Sequence, residues 1–428
     1  MRHFCLVFFT AMTSALAADF PAPEALPAHP ALPDPLVLRD GSRVTTKAGW
    51  QSRRAPELRA LFSHYMYGAR PPAPRGIAGK VLREDRAALG GKATLREVLV
   101  DCGLAAPVHL LIVMPNARTV PAACFLGMNF NGNHRLLDDP LVQMPQGWVG
   151  EKAAGTPPNR AAESERGKDQ AMWAVAQTIE RGYAVAAFFS GDVVPDDRAL
   201  AEAVLDKFSA AGQRGAADTA TIMAWAWGFS RMVDYLQGVP EIDAQRIAAV
   251  GHSRNGKAAL VAAAFDERIA LCIPSQAGCG GTAPSRLAPD LAQPGANGRP
   301  TAETVAIINK NFPHWFCGNF KAFDAATEKL PFDQHGLIAL CAPRPVLLSN
   351  AEEDLWANAD GQFALLHAAA PVYALFGKKI ALPAQRPPTG ELLAERLGYY
   401  IRPGKHSMTT GDWKVWCDYA DRFLQRGD

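Results

Sequence analysis

The chain has 428 residues, of which 48% are hydrophobic and 20% charged, with a formal net charge of +2. That length buries one large core or two smaller ones. A charge so near balance argues against attraction to nucleic acid or to an anionic membrane, and no nucleic-acid module, repeat or low-complexity block stands out.

The N-terminus reads as a targeting segment. Met1-Arg2-His3 is a short basic start, Phe4 to Leu16 is apolar, and Ala15-Leu16-Ala17 offers a small-x-small cleavage site. Residues 1–17 are therefore expected to be a signal peptide, and the mature chain secreted or periplasmic. The apolar run is too short to span a bilayer, and no later stretch reaches that length. No cysteine follows the cleavage site, so no membrane anchor is expected. Cys5 leaves with the signal. The seven cysteines that remain leave at least one thiol free unless chains are joined. Cys124, Cys272 and Cys341 fall in expected strands, where a small buried apolar residue is the commoner reading. There is no CxxC or HExxH, and His314 and His335 lack metal-ligand spacing, so neither metal nor cofactor is expected.

Residues 18–36 are rich in Pro and Ala and predict an extended lead-in that wraps the surface or stays loose. Trp50 to Tyr67 carries apolar groups at helical spacing (Leu58, Leu61, Phe62, Tyr65), ended by Gly68 and Pro71-Pro72. Strands are expected at 92–101, Val108–Met114 and Ala122–Met128, the early ones paired antiparallel. Thereafter strands and helices alternate. Gly182–Ser190 is a buried strand, and Ile222, Trp225, Phe229, Met232, Val233 and Leu236 mark a helix of period 3.6. Trp225 and Trp227 read as core. Further strands are expected at Ile247–Val250, Ile269–Pro274, Val346–Asn350 and Leu397–Arg402, and helices at Ala258–Phe265, Gly361–Ala370 and Trp413–Leu424. This pattern predicts an α/β chain, a three-layer αβα sandwich of the α/β-hydrolase kind spanning residues 37–428 as one domain. Residues 275–335, rich in Gly, Pro and aromatics, read as an insertion forming a lip over the strand ends.

The stretch Gly251-His252-Ser253-Arg254-Asn255-Gly256-Lys257 follows an apolar strand and opens an Ala-rich helix. It reads as a nucleophile elbow, a turn sharp enough to project Ser253 above the sheet. The usual glycine two residues past the serine is absent; Asn255 stands there and Gly256 one later. A serine hydroxyl needs a base, and the base an orienting acid, in the chain order Ser, acid, His. His406, in a turn after the last strand, fits the base. The acid falls among Glu352, Glu353 and Asp354, after the Val346–Asn350 strand, with Asp354 preferred.

The heptapeptide around Ser253 resembles the nucleophile motif of the glucuronoyl esterases, carbohydrate esterase family 15. Asn311-Phe312-Pro313-His314-Trp315-Phe316, Leu330 to His335, and Ala342-Pro343-Arg344-Pro345 are similar to bacterial members. The resemblance runs from about Trp50 to the C-terminus. It implies a serine esterase cleaving the ester between 4-O-methyl-glucuronic acid of xylan and lignin alcohols, with Ser253 as nucleophile and His406 as base. It further implies that Arg254 holds the oxyanion and that Lys257, Glu303 and Trp356 bind the sugar. The family has two places for the acid. At one of them this chain carries Gln276, whose amide cannot supply a negative charge; the other is Asp354-Leu355-Trp356, so the resemblance points to Asp354.

A guanidinium beside the nucleophile suits a reaction whose intermediate and product are both anionic. The sequence leaves two alternatives: a broader carboxylesterase such as an acetyl xylan esterase, and a non-catalytic carbohydrate-binding relative, which the amide at Gln276 keeps open. The partner expected is a glucuronoxylan or lignin–carbohydrate ester, bound by a monomer.

Overall fold

The computed structural model describes residues 20–150, 159–209, 214–292, 298 and 300–424; the expected signal peptide lies outside the described residues. Nine strands form one sheet: β1 (Ala78–Ala88), β2 (Ala93–Asp101), β3 (Val108–Pro115), β4 (Ala122–Asn129), β5 (Ala184–Phe189), β6 (Ile242–His252), β7 (Ile269–Ser275), β8 (Val346–Ala351) and β9 (Leu397–Arg402). Their order is β1-β2-β3-β5-β4-β6-β7-β8-β9. The first three pair antiparallel, as their short connections require, and β3 meets β5 antiparallel. From β5 to β9 every pairing is parallel, so the C-terminal ends of six strands open on one edge of the sheet.

The parallel strands are apolar on both faces because helices cover both. Along β4, Cys124, Leu126 and Met128 enter one core while Ala123 and Phe125 enter the other. Along β6, Ile247 and Ala249 face the first core and Ala248 and Val250 the second. The first core is closed by helices Ala55–Phe62, Thr221–Leu236, Arg254–Phe265 and Ala359–Leu375, the second by Val175–Glu180 and Thr410–Leu424. Trp225 and Trp227 are buried on Thr221–Leu236, in the core as expected.

Two expectations need correction, and one strand carries no mark in the sequence. Cys341 is not in a strand; it follows the short helix His335–Leu340, although it is buried as expected. The helix expected to stop at Ala370 continues through Pro371 to Leu375, because packing of Val372 and Tyr373 into the first core outweighs the lost N–H of one proline. The outer strand β1 was not anticipated: most of its residues are solvent-exposed, so no apolar alternation marks it. The Pro/Ala-rich lead-in, over its described part, wraps the surface. Leu26 and Leu36 are buried, Tyr65 donates to the Pro21 carbonyl at 2.7 Å, and Lys329 donates to the Glu24 carbonyl at 2.8 Å.

Among the described residues all seven cysteines are free and buried, and no group of His, Cys, Asp and Glu has the arrangement of a metal site. No described helix is long and apolar enough to cross a membrane.

Candidate active site

Every candidate residue lies just beyond the end of a parallel strand, or on the segment between β7 and β8. Ser253 follows β6 with a positive φ (φ 58°, ψ −126°), and the helix Arg254–Phe265 starts at once. Such backbone is costly for a residue with a side chain and is held only where the surroundings over-determine it. They do so here by close packing. A Cβ on Gly251 would sit 2.2 Å from the Asn255 carbonyl oxygen, and one on Gly256 2.9 Å from that of Gly251 and 3.0 Å from that of Ser275. The glycine displaced from position 255 therefore supplies the close approach from position 256. Asn255, fully buried, donates from Nδ2 to the Met128 carbonyl at 2.8 Å and ties the helix start to the end of β4.

The motifs shared with the resembled family hold this turn from outside. Arg344 donates to the carbonyls of Ala263, Asp266 and Ile269 at 2.7, 3.0 and 2.7 Å, capping the C-terminal end of the elbow helix. Asp333 accepts from the backbone of Ser285 and Arg286, and Gln334 donates to Tyr67 Oη and the Gly281 carbonyl. The turn after β7 is thereby fastened to the helix layer.

His406 and Asp354 meet because two loops are stitched backbone to backbone. The N–H of Glu352 donates to the Arg402 carbonyl at 2.9 Å and that of Glu353 to the Gly404 carbonyl at 3.0 Å. This brings Asp354 Oδ2 to 2.6 Å from His406 Nδ1. Asp354 is nearly inaccessible at 4% side-chain exposure, whereas His406 is open at 43%, leaving the far ring nitrogen free to face a substrate. The His406 ring packs 4.5 Å, centroid to centroid, from that of His252, the neighbour of Ser253. Burial, and next the nearby His406, push His252 well below the usual histidine range, so it stays neutral beside the base. Glu352 and Glu353 are exposed, and Glu352 accepts from Thr389 Oγ1.

Gln276 has its own part in this arrangement. Its Nε2 donates to the Ser407 carbonyl at 2.6 Å and its Oε1 accepts the Ser407 N–H at 3.1 Å. Arg402 donates to the Lys405 and Ser407 carbonyls at 3.0 and 2.8 Å. The turn bearing His406 is thus clamped by two side chains that no local pattern joins. A carboxylate at 276 lacks the donor half of the clamp.

The second cluster surrounds the cations of the elbow helix. The Arg254 guanidinium lies 5.7, 5.6 and 5.0 Å from the ring centres of Phe130, Phe312 and Trp315. Its Nη1 pairs with Asp196 Oδ2. Lys257 is buried and donates to the Ala277 carbonyl at 2.6 Å, with two N–H groups left over. Burial lowers its pKa from the usual lysine value, against the raising pull of Glu303. Glu303 is also buried. Burial raises its pKa, opposed by Lys257 and by a hydrogen bond from Trp356. The Glu303 N–H donates to the Trp356 carbonyl at 3.1 Å, joining the segment between β7 and β8 to the loop that carries Asp354. Sequence reasoning missed Asp196 and Phe130. Both follow buried parallel strands, β5 and β4, and that position was the only available signal.

Comparison with known proteins identifies the family. The family profile described as "Glucuronyl esterase, fungi" matches residues 171–377. The carbohydrate esterase MZ0003 of an unknown prokaryotic organism is 38% identical, over 92% of this chain and 90% of its own. Among solved structures, a promiscuous CE15 esterase from a marine bacterial metagenome superposes with a TM-score of 0.83 at 38% identity, covering 94% of this chain and 98% of its own. The glucuronoyl esterase from Solibacter usitatus does so with a TM-score of 0.83 at 33% identity, over 94% and 100%. Matched in sequence and fold over nearly its whole length, the chain belongs to carbohydrate esterase family 15, the glucuronoyl esterases, and is a serine esterase acting on carboxylic esters.

Proposed function

We propose that the chain hydrolyses esters between the glucuronic or 4-O-methyl-glucuronic acid of xylan and lignin alcohols, with Ser253, His406 and Asp354 as the catalytic triad. The observation that carries the reading is the grouping of Arg254, Lys257, Glu303 and Trp356 beside the elbow. A plain acyl esterase needs an oxyanion site but no buried lysine and buried glutamate that can reach sugar hydroxyls. Ser253 Oγ attacks the ester carbonyl and passes its proton to His406. Asp354 holds Nδ1–H so that the other ring nitrogen accepts it. Arg254 stabilises the oxyanion, with fixed donors in a partly dry site contributing a few kcal/mol (~3). His406 returns the proton to the departing alcohol, then activates the water that releases the uronate. Export through residues 1–17, action as a monomer, and a lip formed by residues 275–335 on one catalytic unit of residues 37–428 belong to the same reading.

A broader ester scope is the second reading, favoured by the likeness to a CE15 esterase described as promiscuous. The test compares hydrolysis of benzyl or methyl glucuronate with that of acetylated xylan, for the native chain and Ser253→Ala. Uronate-ester activity that Ser253→Ala abolishes is expected. Preference for the acetyl ester overturns the glucuronoyl reading.

A further inference from the structure

Asp196 is a polar residue at a site edge with no assigned part. It follows β5 and the short helix Ser190–Val193, at the same sheet edge as the elbow. Its two oxygens do different things. Oδ2 takes Arg254 Nη1, while Oδ1 accepts Trp315 Nε1 at 2.7 Å and lies 2.9 Å from His314 Nε2. Burial alone would raise the Asp196 pKa. The contacts to His314, Arg254 and Trp315 together hold it below the ordinary value, so it stays anionic.

The consequence for Arg254 is geometric. An arginine facing a free carboxylate is commonly captured by two parallel hydrogen bonds, which use up two of its five donors. Here His314 and Trp315 already occupy Oδ1, so the carboxylate meets the guanidinium end-on through one oxygen. The Arg254 side chain is 34% exposed, so part of the guanidinium stays open to the site, while its Nε is buried with no partner among the described residues. The rings of Phe130, Phe312 and Trp315 restrict the guanidinium without consuming donors.

We infer that Asp196, fixed by His314 and Trp315, is a positioning residue that anchors Arg254 at one nitrogen and keeps the remaining donors for the oxyanion. This rests on the proposed oxyanion role of Arg254. It also gives a use to the His314-Trp315 pair, which composition and spacing left without one.

The test is a double-mutant cycle read in kcat and KM, on benzyl glucuronate and on p-nitrophenyl acetate. It uses the full chain, Arg254→Ala, Asp196→Asn and the double variant. Asp196→Asn is expected to lower kcat about 10–100-fold, below the full loss of an oxyanion donor. Its KM should move by less than about threefold, since the interaction is made in the transition state. In the Arg254→Ala background Asp196→Asn should cost nothing further, on either ester. Retention of more than about half of kcat by Asp196→Asn, or losses that multiply in the double variant, overturns the inference. An Arg254→Ala enzyme with nearly native kcat defeats the oxyanion role instead, and the inference with it. Loss of uronate hydrolysis as the preferred reaction, with the cycle intact on p-nitrophenyl acetate, defeats only the substrate reading. Should Asp196→Asn fail to fold, as judged by thermal unfolding, His314→Leu carries the same expectation. His314→Gln, which restores a donor at Nε2, should then recover most of kcat.

Discussion

Asp354 and Asp196 are two carboxylates beside one elbow, each holding a basic side chain, and they hold it differently. Asp354 is almost sealed and makes one short contact to a ring that packs on His252 and is 43% exposed. Asp196 is somewhat more exposed, at 12%, and shares three donors between its oxygens. A base that must turn a proton over needs one firm hinge and a free face. A cation that must only stand still tolerates being boxed. The contrast teaches that a carboxylate's surroundings, not its presence near a catalytic serine, decide which partner it serves.

The largest effect is expected where the hinge itself is removed. Asp354→Asn should lower kcat by about 10³–10⁴-fold with KM little changed, because an amide favours the wrong imidazole tautomer. Steady-state kinetics on benzyl glucuronate check it, and near-native activity would move the acid to Glu352 or Glu353. On the other side of the comparison, Arg254→Ala should cost about 10²–10³-fold in kcat, measured on the same ester. A smaller loss than that of Asp196→Asn would reverse the order of the two groups.

Gln276→Glu places a third carboxylate near the base. The Nε2 donor to the Ser407 carbonyl disappears, which leaves that carbonyl to Arg402 alone and sets a carboxylate oxygen against it, and this should cost about 1 kcal/mol of stability in denaturant unfolding. A glutamate there faces the Ser407 backbone rather than the His406 ring. We therefore expect it not to rescue Asp354→Asn, and recovery of activity in that double variant would show the acid position to be exchangeable.

The smallest effect concerns a carboxylate that serves no base. Asp192 accepts the His109 N–H at 3.1 Å, and burial raises its pKa to about 6. The folded form therefore keeps a proton that the unfolded chain releases at lower pH. Stability from this group is present below the unfolded pKa and is lost as pH rises to about 6. Partial solvent access limits the loss to about 1–2 kcal/mol. Asp192→Asn should flatten that part of the stability–pH curve, followed by thermal unfolding from acid to neutral pH, and leave kcat unchanged.

Much of the molecule could be read from the chain. Continuous apolar runs mark the parallel strands, which are buried on both faces, and a 3.6-residue period marks the Thr221–Leu236 helix. The elbow is local too, because a sharp turn needs small residues in a fixed order. The order Ser, acid, His then limited the search for partners, and Asp354 and His406 do lie in contact. Exposed β1 escaped because solvent imposes no pattern, and the helix end at Leu375 because tertiary burial overrode a proline.

The αβα layering, the family and a serine on a strained turn follow from the chain alone, because each rests on neighbours in sequence. That Gln276 clamps the base loop, that Glu303 reaches Trp356 and that Asp196 holds Arg254 emerges only in the folded molecule. Those contacts join residues between 53 and 131 positions apart, and no local pattern encodes which loop ends the sheet will bring to one edge.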